Sequence, residues 1–459
     1  MTHLLISAAH KSSGKTTLSI GLCRALAARG LAVQPFKKGP DYIDPMWLGD
    51  AAGRPCYNLD FQTQSADEIR NLVACRSRGA ELSLIEGNKG LYDGMALDGS
   101  NSNAALAKLL GAPVILVIDT RGITRGVAPL LLGYQHFDPA VRIRGVILNQ
   151  VGGARHEAKL RESVEHYTDI PVLGAVRRNS ALVIDERHLG LIPENEESAA
   201  GRLIATIAAA VGEQVDLDRL LTVARDATPL PECHPEPAPP PAGERIRIAI
   251  ARDRAFGFYY PDDLEALEAA GAELLPFDAL ADSRLPDCDG LFIGGGFPET
   301  QMEALSANAA LRAHIREAIE AGLPTYAECG GLMYLARSLR WKDRSAEMVG
   351  VIPGDAVMCD RPQGRGYIHL AETEDFPWPA AGSRPPADIP AHEFHYSRLE
   401  NLPPDGRFAY RVLRGSGIDG RHDGFRHRNL LACYAHLRNT GSYPWARRFL
   451  AFVRSHRGD

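Results

Sequence analysis

Two stretches of the chain combine residue types that could do chemistry. The first is Ser12-Ser13-Gly14-Lys15-Thr16-Thr17, which lies between the apolar run 4–6 and a helix-like pattern that starts at Leu18. A strand, a loop and a helix in this order aim backbone N–H groups at phosphate oxygens, while a lysine reaches the outer phosphates and a hydroxyl ligates Mg²⁺. We predict that the whole stretch binds ATP and that Thr16 is a Mg²⁺ ligand.

This phosphate loop is a variant, because Ala9 stands where the first glycine of the usual pattern lies. A lysine at an ordinary helix start is the simpler alternative that Gly14-Lys15-Thr16 alone would allow. The apolar strand before the loop and the acidic residues further along the chain favour nucleotide binding over that alternative.

The second stretch, Ala327-Glu328-Cys329-Gly330-Gly331, places a cysteine where a strand turns into a helix. A helix N-terminus favours the thiolate form of a cysteine and so makes it a better nucleophile. We predict that its base is His436, which follows the strand-like run 431–435. A lone cysteine or histidine is more often a core residue, but the glycines around Cys329 favour a catalytic role.

A run of three glycines, Gly294-Gly295-Gly296, follows another strand-like segment of the same half of the chain. Without side chains, the backbone N–H groups of such a run are free to face an incoming oxyanion. We predict that Gly295 and Gly296 form the oxyanion site of the cysteine centre.

Acidic and polar residues follow several predicted strands of the N-terminal half. The carboxyl ends of the strands form the usual ligand crevice of an open α/β sheet, whereas a solvated turn is the plainer alternative. We predict Asp44 and Glu86 as further Mg²⁺ ligands, with the choice between Asp41 and Asp44 left open. The predicted contacts to an anionic substrate are Asp41, Tyr42, Asp44, Lys89, Tyr92 and Asp93, and Asn149 is predicted to bond an adenine edge.

Alternating strand-like and helix-like segments extend to residue 224 and predict an α/β fold with a doubly wound sheet. Seven prolines between residues 229 and 241 then indicate a semi-extended connector, because proline at that density interrupts sheets and helices. A new α/β pattern starts at Ile246. We predict an ATP-binding domain at 1–224, a proline-rich linker at 225–244 and a second α/β domain at 245–459.

The composition limits the classes of partner. The 459 residues are 45% hydrophobic and 24% charged, with a net charge of −6, so the chain has no basic field that would attract nucleic acid. No segment approaches the roughly 20 apolar residues that a membrane span needs. Eight scattered cysteines without a C-x-x-C pair predict a reducing, cytoplasmic location, with most of the thiols buried. We therefore expect small-molecule partners, with neither nucleic acid nor membrane, and leave a homodimer open.

A series of spaced motifs resembles, in the same order, the cobyrinic acid a,c-diamide synthase family, and the resemblance covers nearly the whole chain. Besides the phosphate loop, the motifs are Phe36–Pro45, Glu86–Gly94, Arg187-His188-Leu189-Gly190-Leu191, Gly294–Glu299, Ala327–Leu332, His392–Ser397 and Tyr434–Leu437. The resemblance implies a P-loop, dethiobiotin-synthetase-like domain joined to a class I glutamine amidotransferase-like domain.

In that family, ATP phosphorylates an acetate side chain of a tetrapyrrole, and ammonia from glutamine then displaces the phosphate to form an amide, at the a and c acetates in turn. By similarity, Cys329 and His436 are the glutaminase pair. Many glutaminases of this class carry a glutamate two residues after the histidine, where this chain has Arg438. The resemblance therefore implies a Cys/His dyad.

The chain also departs from the family pattern. Asn88-Lys89 and Tyr92 stand where cobyrinate enzymes usually carry apolar residues and phenylalanine, and His10-Lys11 replaces small residues. These departures keep sirohaem or a metallated sirohydrochlorin open as the substrate of the same reaction. A P-loop regulatory ATPase with an inert glutaminase-like domain is an alternative of another class, and the retained Cys329 and His436 argue against it.

Overall fold

The computed structural model describes residues 2–187, 190–197, 199–234, 245–380 and 386–457. The chain divides into two compact units, Met1–Glu236 and Pro237–Asp459. His188 and Leu189 of one sequence motif, and residues 235–244 of the predicted linker, lie outside the described residues. The bounds of that linker therefore stay a prediction.

The first unit is an α/β unit around one large sheet. Its strands are β1 His3–Ala8, β2 Val33–Lys38, β3 Tyr57–Leu59, β4 Leu82–Glu86, β5 Val114–Asp119, β6 Ile143–Val151, β7 Val172–Arg177, β8 Glu186–Arg187 and β9 Gly190–Leu191. Its α-helices are α1 Lys15–Ala28, α2 Ile43–Ala52, α3 Ala66–Arg76, α4 Asn103–Leu110, α5 Val127–Phe137, α6 Ala154–Tyr167, α7 Ala200–Gln214 and α8 Leu217–Ala224.

Seven of these strands form a parallel sheet in the order β3-β2-β4-β1-β5-β6-β7. All residues of β1 and β4 are buried, as expected for strands that helices cover on both faces. Because the strands are parallel, the segments that follow β1, β2 and β4 leave the sheet at one edge. The predicted doubly wound fold is confirmed, and this edge collects the phosphate loop and the acidic motifs.

The second unit has a larger, mixed sheet. Its strands are β10 Ile246–Ala251, β11 Phe256–Phe258, β12 Ala272–Phe277, β13 Gly290–Ile293, β14 Gly295–Gly296, β15 Thr325–Glu328, β16 Ala336–Trp341, β17 Arg344–Glu347, β18 Ile352–Met358, β19 Gly364–Glu372, β20 Ile389–His395, β21 Ser397–Glu400, β22 Arg407–Arg414, β23 His422–His427 and β24 Leu430–Cys433. Its α-helices are α9 Pro261–Ala269, α10 Met302–Ala307, α11 Ala309–Glu320, α12 Gly330–Leu335 and α13 Trp445–His456.

Nine strands form its main sheet in the order β12-β10-β13-β15-β24-β23-β22-β19-β20. The pairs from β12 to β24 are parallel, and those from β24 to β20 are antiparallel. Strands β16, β17, β18 and β21 form a separate four-stranded sheet. The pairing of β15 with β24 matters most for the site, because Glu328 lies opposite Cys433 in the register.

One disulfide joins distant parts of the first unit. Cys75 near the end of α3 is bonded to Cys233, beyond α8 and 158 residues away. The scattered cysteine spacing does not indicate this pair. Cys23, Cys56, Cys329 and Cys433 are free and buried, so half of the eight cysteines are buried, which is fewer than predicted. Among the helices of the described residues, none is long and apolar enough to cross a bilayer.

The segment between β24 and His436 is fixed by a buried carboxylate of β23. Asp423 has no exposed surface, and its two oxygens accept hydrogen bonds from the backbone N–H groups of Tyr434, at 3.0 Å, and Ala435, at 2.9 Å. A buried N–H group that lacks an acceptor destabilises the folded state. Asp423 therefore stabilises the backbone that leads to His436.

Replacing Asp423→Ala should lower the free energy of unfolding by about 2–4 kcal/mol, because two buried N–H groups lose their acceptors. Urea unfolding followed by circular dichroism measures the change. Asp405→Ala, at an exposed position, is the matched control and should shift stability by no more than about 0.5 kcal/mol. Equal, small effects of both changes would contradict the assigned role of Asp423.

Candidate functional site

The loop between β1 and α1 has the backbone geometry of an anion site. Ser12 and Gly14 have positive φ values of 62° and 86°, and such values are typical of loops whose N–H groups converge on an anion. The side-chain nitrogen of Asn149, at the carboxyl end of β6, donates to the carbonyl oxygen of Ser13 at 2.9 Å. A Cβ at position 14 would lie 2.2 Å from that nitrogen, so both the dihedral angle and the space require glycine there.

Three oxygens meet beside this loop. The hydroxyl of Thr16 donates to Glu86 Oε1 at 2.8 Å and lies 3.2 Å from Asp44 Oδ2. Glu86 is fully buried, and within the described residues its Oε2 has no hydrogen-bond partner. A buried carboxylate oxygen without a donor, next to a second carboxylate and a hydroxyl, fits the oxygen ligands that Mg²⁺ prefers.

Lys37 lies among the same oxygens and was not predicted from the sequence. It is the last residue but one of β2 and lies opposite Glu86 in the strand register. Its Nζ bonds Asp44 and lies 2.6 Å from Glu86 Oε1. Burial by itself lowers the pKa of Lys37, but the charges of Asp44 and Glu86 raise it well above its usual value. In this structure the lysine ammonium thus contacts two of the three oxygens, those of Asp44 and Glu86.

The geometry favours Asp44 over Asp41 as the metal ligand, a choice that the sequence left open. Asp41 Oδ1 accepts hydrogen bonds from the backbone N–H groups of Ile43, at 3.0 Å, and Asp44, at 3.1 Å, so it caps the start of α2. Its other oxygen is 3.9 Å from Lys37 Nζ. Asp44, in contrast, reaches Thr16, and it is the better placed of the two to share a metal ion with Glu86.

The loop after β4 is tied to the phosphate loop by aromatic residues. The hydroxyl of Tyr92 donates to the carbonyl oxygen of Tyr134 at 2.6 Å, and the hydroxyl of Tyr134 bonds the carbonyl oxygen of Ala9. Asp93 Oδ2 accepts the N–H of Gly90 at 3.1 Å. The side chains of Tyr92 and Asp93 thus make contacts that shape the loop.

The other two predicted substrate residues differ in exposure. The side chain of Lys89 is exposed on the loop after β4. Tyr42 is 9% exposed and is the N-cap residue of α2. Both residues follow the carboxyl ends of strands, on the same side of the sheet as the phosphate loop.

Cys329 occupies the sharp turn between β15 and α12. Its dihedral angles, φ 45° and ψ −99°, are unusual for a residue with a side chain and resemble the strained turn that presents a nucleophile at a strand-to-helix junction. Its N–H donates to the carbonyl oxygen of Cys433 at 2.7 Å. A Cβ at Gly331 would lie 2.3 Å from the carbonyl oxygen of Ile293, so the turn also requires this glycine.

His436 meets Cys329 at the same edge of the sheet. The imidazole is 3% exposed and hydrogen-bonds the side chain of Cys329. Its Nδ1 lies 3.3 Å from Oε2 of Glu328, a residue that was not predicted to take part. Burial by itself lowers the pKa of His436, but the hydrogen bonds and charges of Cys329 and Glu328 raise it to about 10.

The predicted glycines lie beside the histidine and beside Gly330, the residue that follows the cysteine. Strand β14, which is Gly295–Gly296, pairs with β11. A Cβ at Gly295 would lie 2.6 Å from His436 Cε1, and a Cβ at Gly330 would lie 2.9 Å from the backbone nitrogen of Gly296. The N–H of Gly330, directly after the cysteine at the start of α12, is a further candidate donor, since the first N–H groups of a helix lack helical partners.

The His392–Ser397 motif supports the histidine. His392 and His436 exchange backbone hydrogen bonds of 3.2 and 2.7 Å, and the ring of His395 stacks on Tyr434 with centroids 3.8 Å apart. Within the part of the chain that the structure describes, no group of three or more His, Cys, Asp or Glu residues could hold a metal ion. The oxygens beside the phosphate loop are a different set, since only two of the three belong to carboxylates.

Comparisons with known proteins identify relatives of both units. Residues 5–192 match the family model described as CobQ/CobB/MinD/ParA nucleotide binding domain, and residues 247–442 match that of the CobB/CobQ-like glutamine amidotransferase domain. A cobyrinate a,c-diamide synthase of Magnetococcus marinus is 48% identical, with 99% of this chain and 98% of the relative covered.

Two further relatives carry the same name. The enzyme of Methanosarcina acetivorans is 41% identical over 95% of this chain and 92% of the relative. The enzyme of Archaeoglobus fulgidus is 41% identical over 97% of this chain and 96% of the relative. The similarity therefore spans both units and the segment between them.

The protonation of His436 gives a testable pH dependence. Because its pKa is raised to about 10, the imidazole should carry its proton throughout the neutral range and lose it only near pH 10. NMR titration of histidine-labelled protein, with His436→Gln to assign the signal, measures the midpoint. In Cys329→Ala, the loss of the thiol's hydrogen bond and charge should lower the midpoint. A midpoint near the ordinary histidine value of about 6.5 in the unchanged protein would contradict the assignment.

Proposed function

This chain belongs to the cobyrinate a,c-diamide synthase family, and on that premise we propose that it uses ATP and glutamine to convert the a and c acetate side chains of cobyrinate into amides. The observation that carries the proposal is the hydrogen-bonded Cys329 and His436 pair at a strained strand-to-helix turn, in a chain that also holds a phosphate loop. The two centres supply the two halves of one reaction, activation of an acid and release of ammonia.

A carboxylate is a poor electrophile, so it must first be converted to an acyl phosphate. Lys15 and the N–H groups of residues 12–17 bind the phosphates of ATP, and Asn149 contacts the adenine through Oδ1, since its nitrogen is bonded to Ser13. Thr16, Asp44 and Glu86 would hold Mg²⁺, which neutralises phosphate charge when it is bound.

The proposed tetrapyrrole contacts lie in the two segments that follow β2 and β4. Lys89 is an exposed cation and is suited to pair with the substrate's carboxylates. The remaining proposed contacts are Asp41, Tyr42, Asp44, Tyr92 and Asp93. The acetate that is phosphorylated must lie near Lys15, because the transferred phosphoryl group comes from the nucleotide there.

The second centre releases ammonia from glutamine. The thiolate of Cys329 attacks the side-chain amide carbon, and the N–H groups of Gly295, Gly296 and Gly330 are proposed to bind the oxyanion. His436 donates its proton to the leaving ammonia, which leaves a thioester on the cysteine. Water activated by His436 then hydrolyses the thioester to glutamate and restores the thiolate and the imidazolium.

Sirohaem is not favoured as the substrate, because all three of these relatives carry the name of the cobyrinate enzyme. A cytoplasmic location and a homodimer stay predictions. The regulatory ATPase alternative is also not favoured, since it assigns no function to the strained cysteine and its histidine.

The two nitrogen sources separate the two centres experimentally. With cobyrinic acid, ATP and isotopically labelled glutamine, the protein should form labelled amide, detected by mass spectrometry. Cys329→Ala should abolish product from glutamine but keep product from ammonium salts, because the acid is still activated. Lys15→Ala should lose both. Hydrogenobyrinic acid and sirohaem, run in parallel, test the macrocycle, and product from sirohaem alone would overturn the proposed substrate.

The metal ligands can be separated by paired amide variants. Asp44→Asn should raise the Mg²⁺ concentration needed for half-maximal amidation by about tenfold or more, because a charged ligand becomes a neutral one. Asp41→Asn is the matched control and should change the Mg²⁺ requirement less, since its carboxylate caps α2. Magnesium titrations at saturating ATP measure both, and a larger effect at Asp41 would reverse the assignment.

A further inference from the structure

Glu328 directs its carboxylate at the imidazole of His436 from the strand that carries the nucleophile. It ends β15, is 4% exposed, and its Oε2 lies 3.3 Å from His436 Nδ1. Its Oε1 accepts the N–H of Leu437 at 3.0 Å and the hydroxyl of Tyr326 at 2.6 Å. Both oxygens are therefore engaged, and these contacts hold the carboxylate in one orientation.

We propose that Glu328 is the positioning residue of the glutaminase, which fixes the ring and tautomer of His436 so that its other nitrogen, Nε2, serves Cys329. The proposal rests on the proposed glutaminase function and adds a third member to the pair. A carboxylate that accepts a hydrogen bond from one ring nitrogen fixes which nitrogen faces the nucleophile and stabilises the imidazolium that forms.

This chain has no carboxylate at the position where related glutaminases carry one. Position 438, two residues after the histidine, is an arginine, and its guanidinium forms an ion pair of 2.5 Å with Asp262 and lies 4.2 Å from the centre of the Tyr260 ring. A positive charge that is paired in this way does not replace an acceptor on Nδ1. Glu328 supplies the acceptor from the other side of the imidazole, through the strand before the cysteine.

Two other titratable groups near the pair, His392 and Asp263, do not take this role. His392, on β20, has its ring centroid 6.3 Å from that of His436, and burial together with the neighbouring His436 lowers its pKa to about 3. It is therefore neutral over the pH range of an assay. Asp263, on α9, accepts the N–H of Asn439 and the indole N–H of Trp445, so its oxygens bond residues other than the histidine.

The substitution Glu328→Gln tests the proposal with little change in shape. An oxygen remains for Leu437 and Tyr326, but an NH₂ group replaces the oxygen that accepts from Nδ1. We expect kcat for glutamate release to fall about 100- to 10,000-fold, as when a buried carboxylate behind a catalytic histidine is made an amide, with a much smaller change in KM. The alkaline limb of the pH profile should move to lower pH, because the imidazolium loses a neighbouring negative charge.

Two further variants separate positioning from support of the fold. Glu328→Asp restores the charge and should recover part of kcat and part of the alkaline limb. Tyr326→Phe removes a hydrogen bond of Glu328 without touching the imidazole, and its alkaline limb should stay within a few tenths of a pH unit of the unchanged protein. Amidation with ammonium salts should persist in all three variants and reports that the chain is folded.

The outcomes distinguish this inference from the proposed function. If the unchanged protein releases no glutamate from glutamine, or if Cys329→Ala releases as much, the glutaminase proposal fails, and the role of Glu328 fails with it. If Cys329→Ala is inactive but Glu328→Gln keeps its kcat and the position of its alkaline limb, the glutaminase stands and the positioning role is wrong. If Tyr326→Phe loses kcat and shifts the limb as Glu328→Gln does, the role is structural, and the inference is also overturned.

Discussion

The parallel pairing of β15 with β24 is the constraint on which the second centre depends. The register places Glu328 opposite Cys433, so the chain leaves both strands at one edge of the sheet. Cys329 turns at once into α12, and three residues beyond β24 the chain reaches His436. The nucleophile and the histidine are separated by more than a hundred residues, yet a single strand pair brings them together. Asp423 and the backbone bonds to His392 then hold the histidine segment in place.

The first unit uses the same principle with three strands. The ends of β1, β2 and β4 bring the phosphate loop, Lys37 and Glu86 to one sheet edge. A buried carboxylate is costly without a nearby cation or donor, and Lys37 supplies the cation in this structure.

In both centres, the close approach of neighbouring atoms requires glycine, and at Gly14 the positive φ value requires it as well. The space at Gly14 is taken by Asn149, and that at Gly331 by the backbone of Ile293. A side chain at either position would clash with these atoms and displace the turn from its neighbouring strand. The glycines that suggested a phosphate loop and a nucleophile turn therefore also carry the packing that holds these turns against neighbouring strands.

The sequence by itself determined the α/β class and the chemistry-bearing residues, because these are local properties. Apolar runs specify buried strands, and the residue types of Lys15-Thr16 and of Cys329 limit the reactions they can support. Only the tertiary structure decided which distant groups meet. Neither Lys37 nor Glu328 was predicted as a site residue, and strand pairing places them against Glu86 and His436. The resemblance implied a Cys/His dyad, because Arg438 stands where related glutaminases carry a glutamate. The tertiary structure places a different carboxylate, that of Glu328, 3.3 Å from His436 Nδ1.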